Sequence, residues 1–449
     1  MNDRVGGSGP VARLYAVASV LVLALAAQLH LGAALRTRVD TPIRADAAEY
    51  TTYAYNLRWH GVYSRQPTWH SEWRGELQPD AVRQPGYALV LALLIGETVD
   101  AAFVLRVVML QALLSVLLVG LSQILAKPVV GRWPALVVAL LVALTPQLVT
   151  STTYVLTETL YATVFTAFLC LLSALLRRRD AGPWLALACG LLLGASALVR
   201  PTSNYLPLVV LPFVFLAGGW RHATALALGV VLAFGPWILR NLATLGRSSD
   251  PTLAIATLQH GSYPNFMYDG REETYGYPYR FDPRTPEIVT DFGSVTAHIA
   301  NEFARQPWTM TRWYLLQKPL FFLGWEPIQG AGDVFVYPVL RSPYLDEALF
   351  RVTRDLMHWL HVPLMALSLG GALLGFAHAL RYRFAVGTPR LVGGLAAVFL
   401  AVLGLHMVGA PFPRYSVPFR PLMYTLGAWV LVSLAARCSS GLGSPGKST

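Results

Sequence analysis

Charge is what this sequence has least of. Only 13% of its 449 residues are Asp, Glu, Lys or Arg, 55% are hydrophobic, and mean hydropathy is +0.48. That balance excludes a soluble globular domain. Cysteine is scarce as well: Cys170 and Cys189 lie inside apolar runs and Cys438 in the tail, which excludes a disulfide framework or a cysteine metal cluster. Strand-like alternation is missing, so only helices remain to cross hydrocarbon. There is no fixed-period repeat and no inverted repeat of broken helices, and the middles of the apolar runs are nearly free of ionisable residues. Both absences count against a transporter. The formal charge of +11 is scattered among apolar runs instead of forming a basic domain. Phospholipid and lipid phosphate are therefore the expected partners, and nucleic acid is not.

What is present is a series of apolar runs near the roughly 20 residues that a helix needs to cross a bilayer. Spans are expected near 11–34, 101–126, 134–149, 157–176, 183–199, 204–219, 223–239, 356–379, 391–409 and 417–436. The chain reads as an all-α polytopic membrane protein with about ten or more transmembrane helices. The first run is too long for the apolar part of a signal peptide and no small-residue cleavage site follows it, so it is read as a retained helix. A cytoplasmic N-terminus puts Lys127, Arg132, Arg177 to Arg179, Arg221, Arg381, Arg383, Arg390 and Arg437 inside, as the positive-inside rule favours. Two long polar segments then fall outside, 36–100 and about 240–355. The organisation expected is a transmembrane catalytic module at 1–240 that includes the first outer loop, a small extracytoplasmic cap at 241–355, and C-terminal transmembrane helices at 356–449. Tyr87 to Gly96 and Trp313 to Trp325 are apolar but too short to span, and are expected as juxtamembrane helices along the interface.

With that topology, Arg44, Arg58, Arg83, Arg200, Arg240, Arg414 and Arg420 lie on the outer side, where the positive-inside rule gives them no reason to be. A planar guanidinium is the usual clamp for phosphate oxygens; the alternative for any one of them is snorkelling to headgroups. Asp46 follows the first span, with Glu49 and Tyr50 three and four residues on, so a short helix puts all three on one face. A carboxylate there suits a general base acting on an acceptor hydroxyl, with the second acid as helper. Glu158 opens a span and is a further acid candidate; helix capping is the plainer reading of both acids. Asp46, Glu49 and Glu158 are the acids a hard cation would use, but no histidine or carboxylate spacing demands a metal. His60, His70, His260, His298, His358 and His361 are expected to face solvent or pack.

The order of these pieces resembles the polytopic GT-C glycosyltransferases that use a polyprenyl-phosphate sugar, in particular the protein O-mannosyltransferases and lipid A aminoarabinose transferases. The resemblance covers most of the chain. It rests on Asp46 to Tyr50, on Arg83-Gln84-Pro85-Gly86-Tyr87, on Leu156 to Tyr161, and on Val199-Arg200-Pro201-Thr202. It continues with Pro236 to Asn241 and Pro413-Arg414-Tyr415-Ser416-Val417-Pro418. The resemblance implies an inverting transferase that moves a sugar from a polyprenyl-phosphate donor to a hydroxyl of a lipid, glycan or protein in the cell envelope. Catalysis would occur on the extracytoplasmic face of the plasma membrane and need no cofactor. It implies Asp46 as the catalytic carboxylate, aided by Glu49 and Glu158. Arg83, Arg200, Arg240 and Arg414 would bind the donor phosphate, and Tyr50, Tyr87 and Asn241 the substrate. The family often has an acid directly after the first-loop aspartate, where this chain has Ala47. The rival readings are a flippase or transporter of lipid-linked sugars and a non-catalytic membrane assembly factor.

Overall fold

A computed structural model describes residues 9–69, 75–178, 182–327 and 331–441; His70 and Arg179 lie outside the described residues. The chain begins with α1 (Pro10–Arg36), a short strand β1 (Arg38–Val39), α2 (Asp46–His60) and α3 (Pro85–Leu94). The apolar runs continue as α4 (Ala101–Val130), α5 (Arg132–Leu144), α6 (Pro146–Ser151), α7 (Glu158–Arg177), α8 (Pro183–Val199) and α9 (Leu206–Leu245). Shorter helices then build the polar segment: α10 (Thr252–Ser262), α11 (Thr285–Ile288), α12 (Phe292–Arg305), α13 (Pro307–Arg312) and α14 (Lys318–Phe322). Strand β2 (Val339–Arg341) and α15 (Pro343–Asp346) lead into α16 (Ala348–Arg381), α17 (Thr388–Val408), α18 (Pro413–Ser416) and α19 (Arg420–Gly441). Prolines open α1, α3, α6 and α8, where the missing N–H has no helical partner to lose and φ is already set.

Among the described residues, seven helical stretches are long and apolar enough to cross a membrane. One of them, Pro201–Leu245, has 45 residues, more than twice the roughly 20 that one crossing needs. It contains a break inside α9, where Gly218 is non-helical and Gly219 has φ +69° and ψ −162°. That conformation is open to glycine and strained for other residues. The two arms of α9 correspond to the spans expected at 204–219 and 223–239. The shorter α5 and α8 complete about ten crossings, and the chain is a multi-pass, all-α membrane protein. Two details differ from the expected pattern. The span expected at 134–149 breaks between α5 and α6, because Pro146 has no N–H to continue the ladder. The first loop also pairs β1 with β2 in a small antiparallel ribbon, Arg38 opposite Arg341.

Small residues let the helices approach closely. A Cβ on Gly190 of α8 would run into the Leu226 carbonyl of α9, and one on Gly229 into the Leu187 carbonyl of α8. Gly371 of α16 meets the Leu426 carbonyl of α19 in the same way. Glycine at such contacts is the usual route to tight packing between membrane helices. At one end of this bundle the first loop and the 246–347 segment are tied together. The ribbon is one tie, and Arg36 Nη1 donates to both Glu347 oxygens, at 2.6 and 2.5 Å.

Candidate active site

Five parts of the chain converge at that end. The turn before α2 bends sharply, with Ala45 at φ +46°, and sets Asp46 and Glu49 on the first turn of α2. The turn before α3 carries Arg83. Its path is fixed by Gly86, where a Cβ would stand 2.8 Å from the backbone of Leu198, and by Tyr87, whose hydroxyl donates to Gln111 Oε1 at 2.9 Å. Gln111 in turn donates to the carbonyls of Thr152 (3.1 Å) and Tyr154 (2.7 Å), which orders the turn that starts α7 at Glu158. Arg200 caps α8, and Arg414 stands on α18.

The side chains form one charged chain. Arg83 donates from Nη2 to Asp46 Oδ1 at 2.8 Å and from Nε to Glu49 Oε2 at 2.6 Å. Arg414 Nη2 donates to Asp46 Oδ2 at 2.5 Å, and its Nε lies 3.5 Å from Glu158 Oε1. Arg200 bonds Glu158 Oε1 through Nη2 and Thr157 Oγ1 through Nε at 2.8 Å. Aromatic rings flank the guanidiniums: Tyr50 at 5.2 Å from Arg83, Tyr161 at 5.6 Å and Tyr415 at 5.7 Å from Arg200. Tyr50 and Tyr87 meet edge to face with centroids 5.3 Å apart. Three carboxylates thus face three arginines.

Burial by itself would raise the Asp46 carboxyl, but the charges of Arg414 and Arg83 outweigh it and hold the group well below the usual carboxylate range. Both Asp46 oxygens are occupied, whereas other buried atoms are not. The Arg414 side chain is 7% exposed and that of Glu158 2%, and Arg414 Nε and Nη1 and Glu158 Oε2 make no hydrogen bond. A buried donor or acceptor left unmade costs about 1–3 kcal/mol, and acceptor oxygens and a hydroxyl are what would satisfy these atoms.

Asp46, Glu49, Tyr50, Arg83, Tyr87, Glu158, Arg200 and Arg414 are therefore brought together. Arg240 and Asn241 are engaged elsewhere. Arg240 donates to the carbonyls of Asp80 (2.8 Å) and Tyr63 (3.2 Å) and to Asn241 Oδ1 (3.0 Å), and Asn241 Nδ2 donates to the Ser248 carbonyl at 3.1 Å. Arg240 holds the first loop and Asn241 the turn after α9, and neither bonds the acids. Among the described residues no three His, Cys, Asp or Glu side chains are grouped as a metal ion would require. The expected packing of His260 and His361 is seen: His260 lies against Phe266 and Phe412, and His361 against Trp325.

Two neighbours of the site were not singled out by the sequence. Tyr337 is brought in by residues 334–337, which turn back into the bundle. Its ring lies 5.6 Å from the Arg44 guanidinium and its hydroxyl donates to the Arg44 carbonyl at 3.4 Å. Gln111 carried a usable signal, since a glutamine in the middle of an apolar run needs partners.

No family model matches the chain, and no curated protein matches it by sequence. Its fold matches solved structures. The oligosaccharyltransferase of Archaeoglobus fulgidus in complex with Zn and sulfate is 12% identical, with a TM-score of 0.51 over 94% of this chain and 50% of that chain. The same enzyme tethered with an acceptor peptide containing the NVT sequon gives 12% identity and a TM-score of 0.50 over 97% and 52%. ArnT from Cupriavidus metallidurans bound to undecaprenyl phosphate gives 15% identity and a TM-score of 0.41 over 90% and 78%. The chain spans about half the length of the oligosaccharyltransferase structures it matches. At these identities the likeness is one of fold, an all-α polytopic membrane fold as expected from the sequence.

Proposed function

We propose that this chain is an inverting GT-C-type glycosyltransferase that moves a sugar from a polyprenyl-phosphate donor to a hydroxyl acceptor. The observation that carries the reading is Arg414, a buried guanidinium bonded to Asp46 that keeps Nε and Nη1 free of hydrogen bonds. A phosphate oxygen is the natural partner for such donors. Arg83 and Arg200 flank it, and Tyr50 packs against the Arg83 guanidinium and the Tyr87 ring.

The acceptor oxygen would attack the anomeric carbon as the bond from that carbon to the phosphate oxygen breaks. The phosphate leaves with the bonding electron pair, stabilised by the arginines. The acceptor proton passes to Asp46. A carboxylate held by two guanidiniums is a weak proton acceptor, so a phosphate that draws Arg414 or Arg83 toward itself also raises the basicity of Asp46. Glu158, with Oε2 unpartnered, would accept a hydrogen bond from a sugar or acceptor hydroxyl, and Glu49 would hold Arg83.

The membrane reading extends to sidedness. Lys127, Arg132, Arg177, Arg381 and Arg383 lie at or next to the helix ends opposite the charged cluster, and Arg221 lies beside the break in α9, which supports a cytoplasmic location for them and an extracytoplasmic one for the site. The plasma membrane is the proposed location and an envelope lipid, glycan or protein the acceptor. The reading is tested by sugar transfer from a panel of polyprenyl-phosphate sugars, using purified protein in lipid. Wild type should transfer one of them and Asp46→Asn, Arg200→Ala and Arg414→Ala should not. Donor binding without transfer, even with cell-envelope extract as acceptor, would favour the flippase or assembly-factor reading.

A further inference from the structure

Lys318 is fully buried and has no part in the charged cluster. A buried lysine is costly unless its ammonium finds partners, and this one finds backbone. Nζ donates to the Met407 carbonyl at 2.7 Å and to the Gly409 carbonyl at 2.9 Å, and sits 3.5 Å from the centre of the Tyr314 ring. A basic side chain on the last carbonyls of a helix is an ordinary cap, and α17 ends here. The place of this cap in the chain is less ordinary. Gly409 begins the short turn whose next residues are Ala410, Pro411, Phe412 and Pro413, and then Arg414.

The rest of that turn is gripped by the same 246–347 segment. A Cβ on Gly261 would run into the Gly409 carbonyl, and Trp313 Nε1 donates to the Gly261 carbonyl at 2.9 Å. Phe412 stacks on Phe266 with centroids 4.7 Å apart and meets His260 at 4.8 Å. Pro413 packs against Gly324, where a Cβ would stand 3.2 Å from its ring. The turn is therefore held at Gly409, Phe412 and Pro413 by residues far from it in sequence, and the next side chain is the guanidinium on Asp46 and Glu158.

We propose that Lys318 is a positioning residue for donor binding: by holding Met407 and Gly409 it sets the turn that delivers Arg414, so the 246–347 segment controls the phosphate clamp. This rests on the reading of Arg414 as a phosphate ligand. The test is a double-mutant cycle on binding of undecaprenyl phosphate to full-length protein in nanodiscs. Arg414→Ala should weaken binding. Lys318→Met should weaken it by about tenfold or more, as displacement of a clamping group does, and should cause no further loss in the Arg414→Ala background. Lys318→Arg, which can still donate to both carbonyls, should restore much of the affinity. Equal losses from Lys318→Met in both backgrounds would make Lys318 merely structural and overturn the inference. So would weakened binding in Arg414→Ala with none in Lys318→Met. Unchanged binding in Arg414→Ala would instead overturn the phosphate reading itself, and this inference with it. Should Lys318→Met fail to assemble, Gly261→Ala disturbs the same turn from its other side with Lys318 intact, and the same comparisons apply.

Discussion

At Asp46 two demands meet in one side chain. Its carboxylate bridges Arg83 and Arg414 in the resting site, and in the proposed reaction it takes the acceptor proton. Asp46→Asn removes the base and keeps the shape. Transfer should fall by roughly 10²–10⁴-fold, the usual worth of a general base, while undecaprenyl phosphate binds at least as tightly because its arginines are released; the pair of measurements separates catalysis from binding. Arg200→Ala acts differently. It leaves Glu158 buried with only Arg414, at 3.5 Å, and breaking a buried pair from one side costs about 3–5 kcal/mol. A melting curve in detergent should show a clear loss for Arg200→Ala and a smaller one when Glu158→Gln is combined with it. The members of this cluster were legible in the sequence because each is a charge at a membrane end that topology does not require. Arg240 looked the same and is not a member, since its partners are loop carbonyls whose positions only the folded loop defines. Tyr337 was invisible for a related reason: nothing in residues 334–337 announces that they turn inward.

Among the elements, the 246–347 segment is where the sequence was least informative. Apolar periodicity locates helices that cross a membrane, but the short helices α10 to α15 are set by tertiary contacts among aromatics, prolines and backbone. His260 is one such contact. Burial pushes its imidazole down to about 4 from the usual 6.5; a hydrogen bond to the Gly276 carbonyl opposes the shift and the Arg280 charge adds to it. A group whose folded value lies below its unfolded one takes up its proton first in the unfolded chain. Its stabilising contribution is complete above about pH 6.5 and is lost as pH falls toward about 4. Hydrogen exchange corrected for intrinsic rates should therefore show residues 256–266 loosening over that interval in wild type and much less in His260→Phe. The long helices make a contrasting case. Gly229→Val would force α8 and α9 apart against backbone, and overpacking of this kind costs typically about 1–3 kcal/mol, readable as a lower melting temperature.

For the molecule as a whole, about ten crossings were legible because length and hydropathy alone define a span, and even α9 was legible as two runs, 204–219 and 223–239. The arrangement also makes a geometric claim. An even number of crossings puts Pro10 and the C-terminal end of α19 on one side, with Gly131 and Arg383, and Arg341 on the other. Single cysteines placed at Gly131, Arg383 and Arg341, in a chain cleared of Cys170, Cys189 and Cys438, should react with an impermeant maleimide accordingly. With the proposed extracytoplasmic site, Arg341→Cys should label in intact cells and the other two only after the membrane is opened.

The even match of three arginines to three acids has a kinetic consequence on the proposed reaction. A sugar ester of a polyprenyl phosphate carries a single negative charge, and the polyprenyl phosphate left after transfer carries roughly −1.5 to −2 at neutral pH. The spent lipid is thus the more anionic of the two and should be retained longer than the substrate it replaces. Turnover would be limited by the departure of that lipid, and added undecaprenyl phosphate would act as a competitive product inhibitor whose grip weakens with acidification through its second pKa near 6.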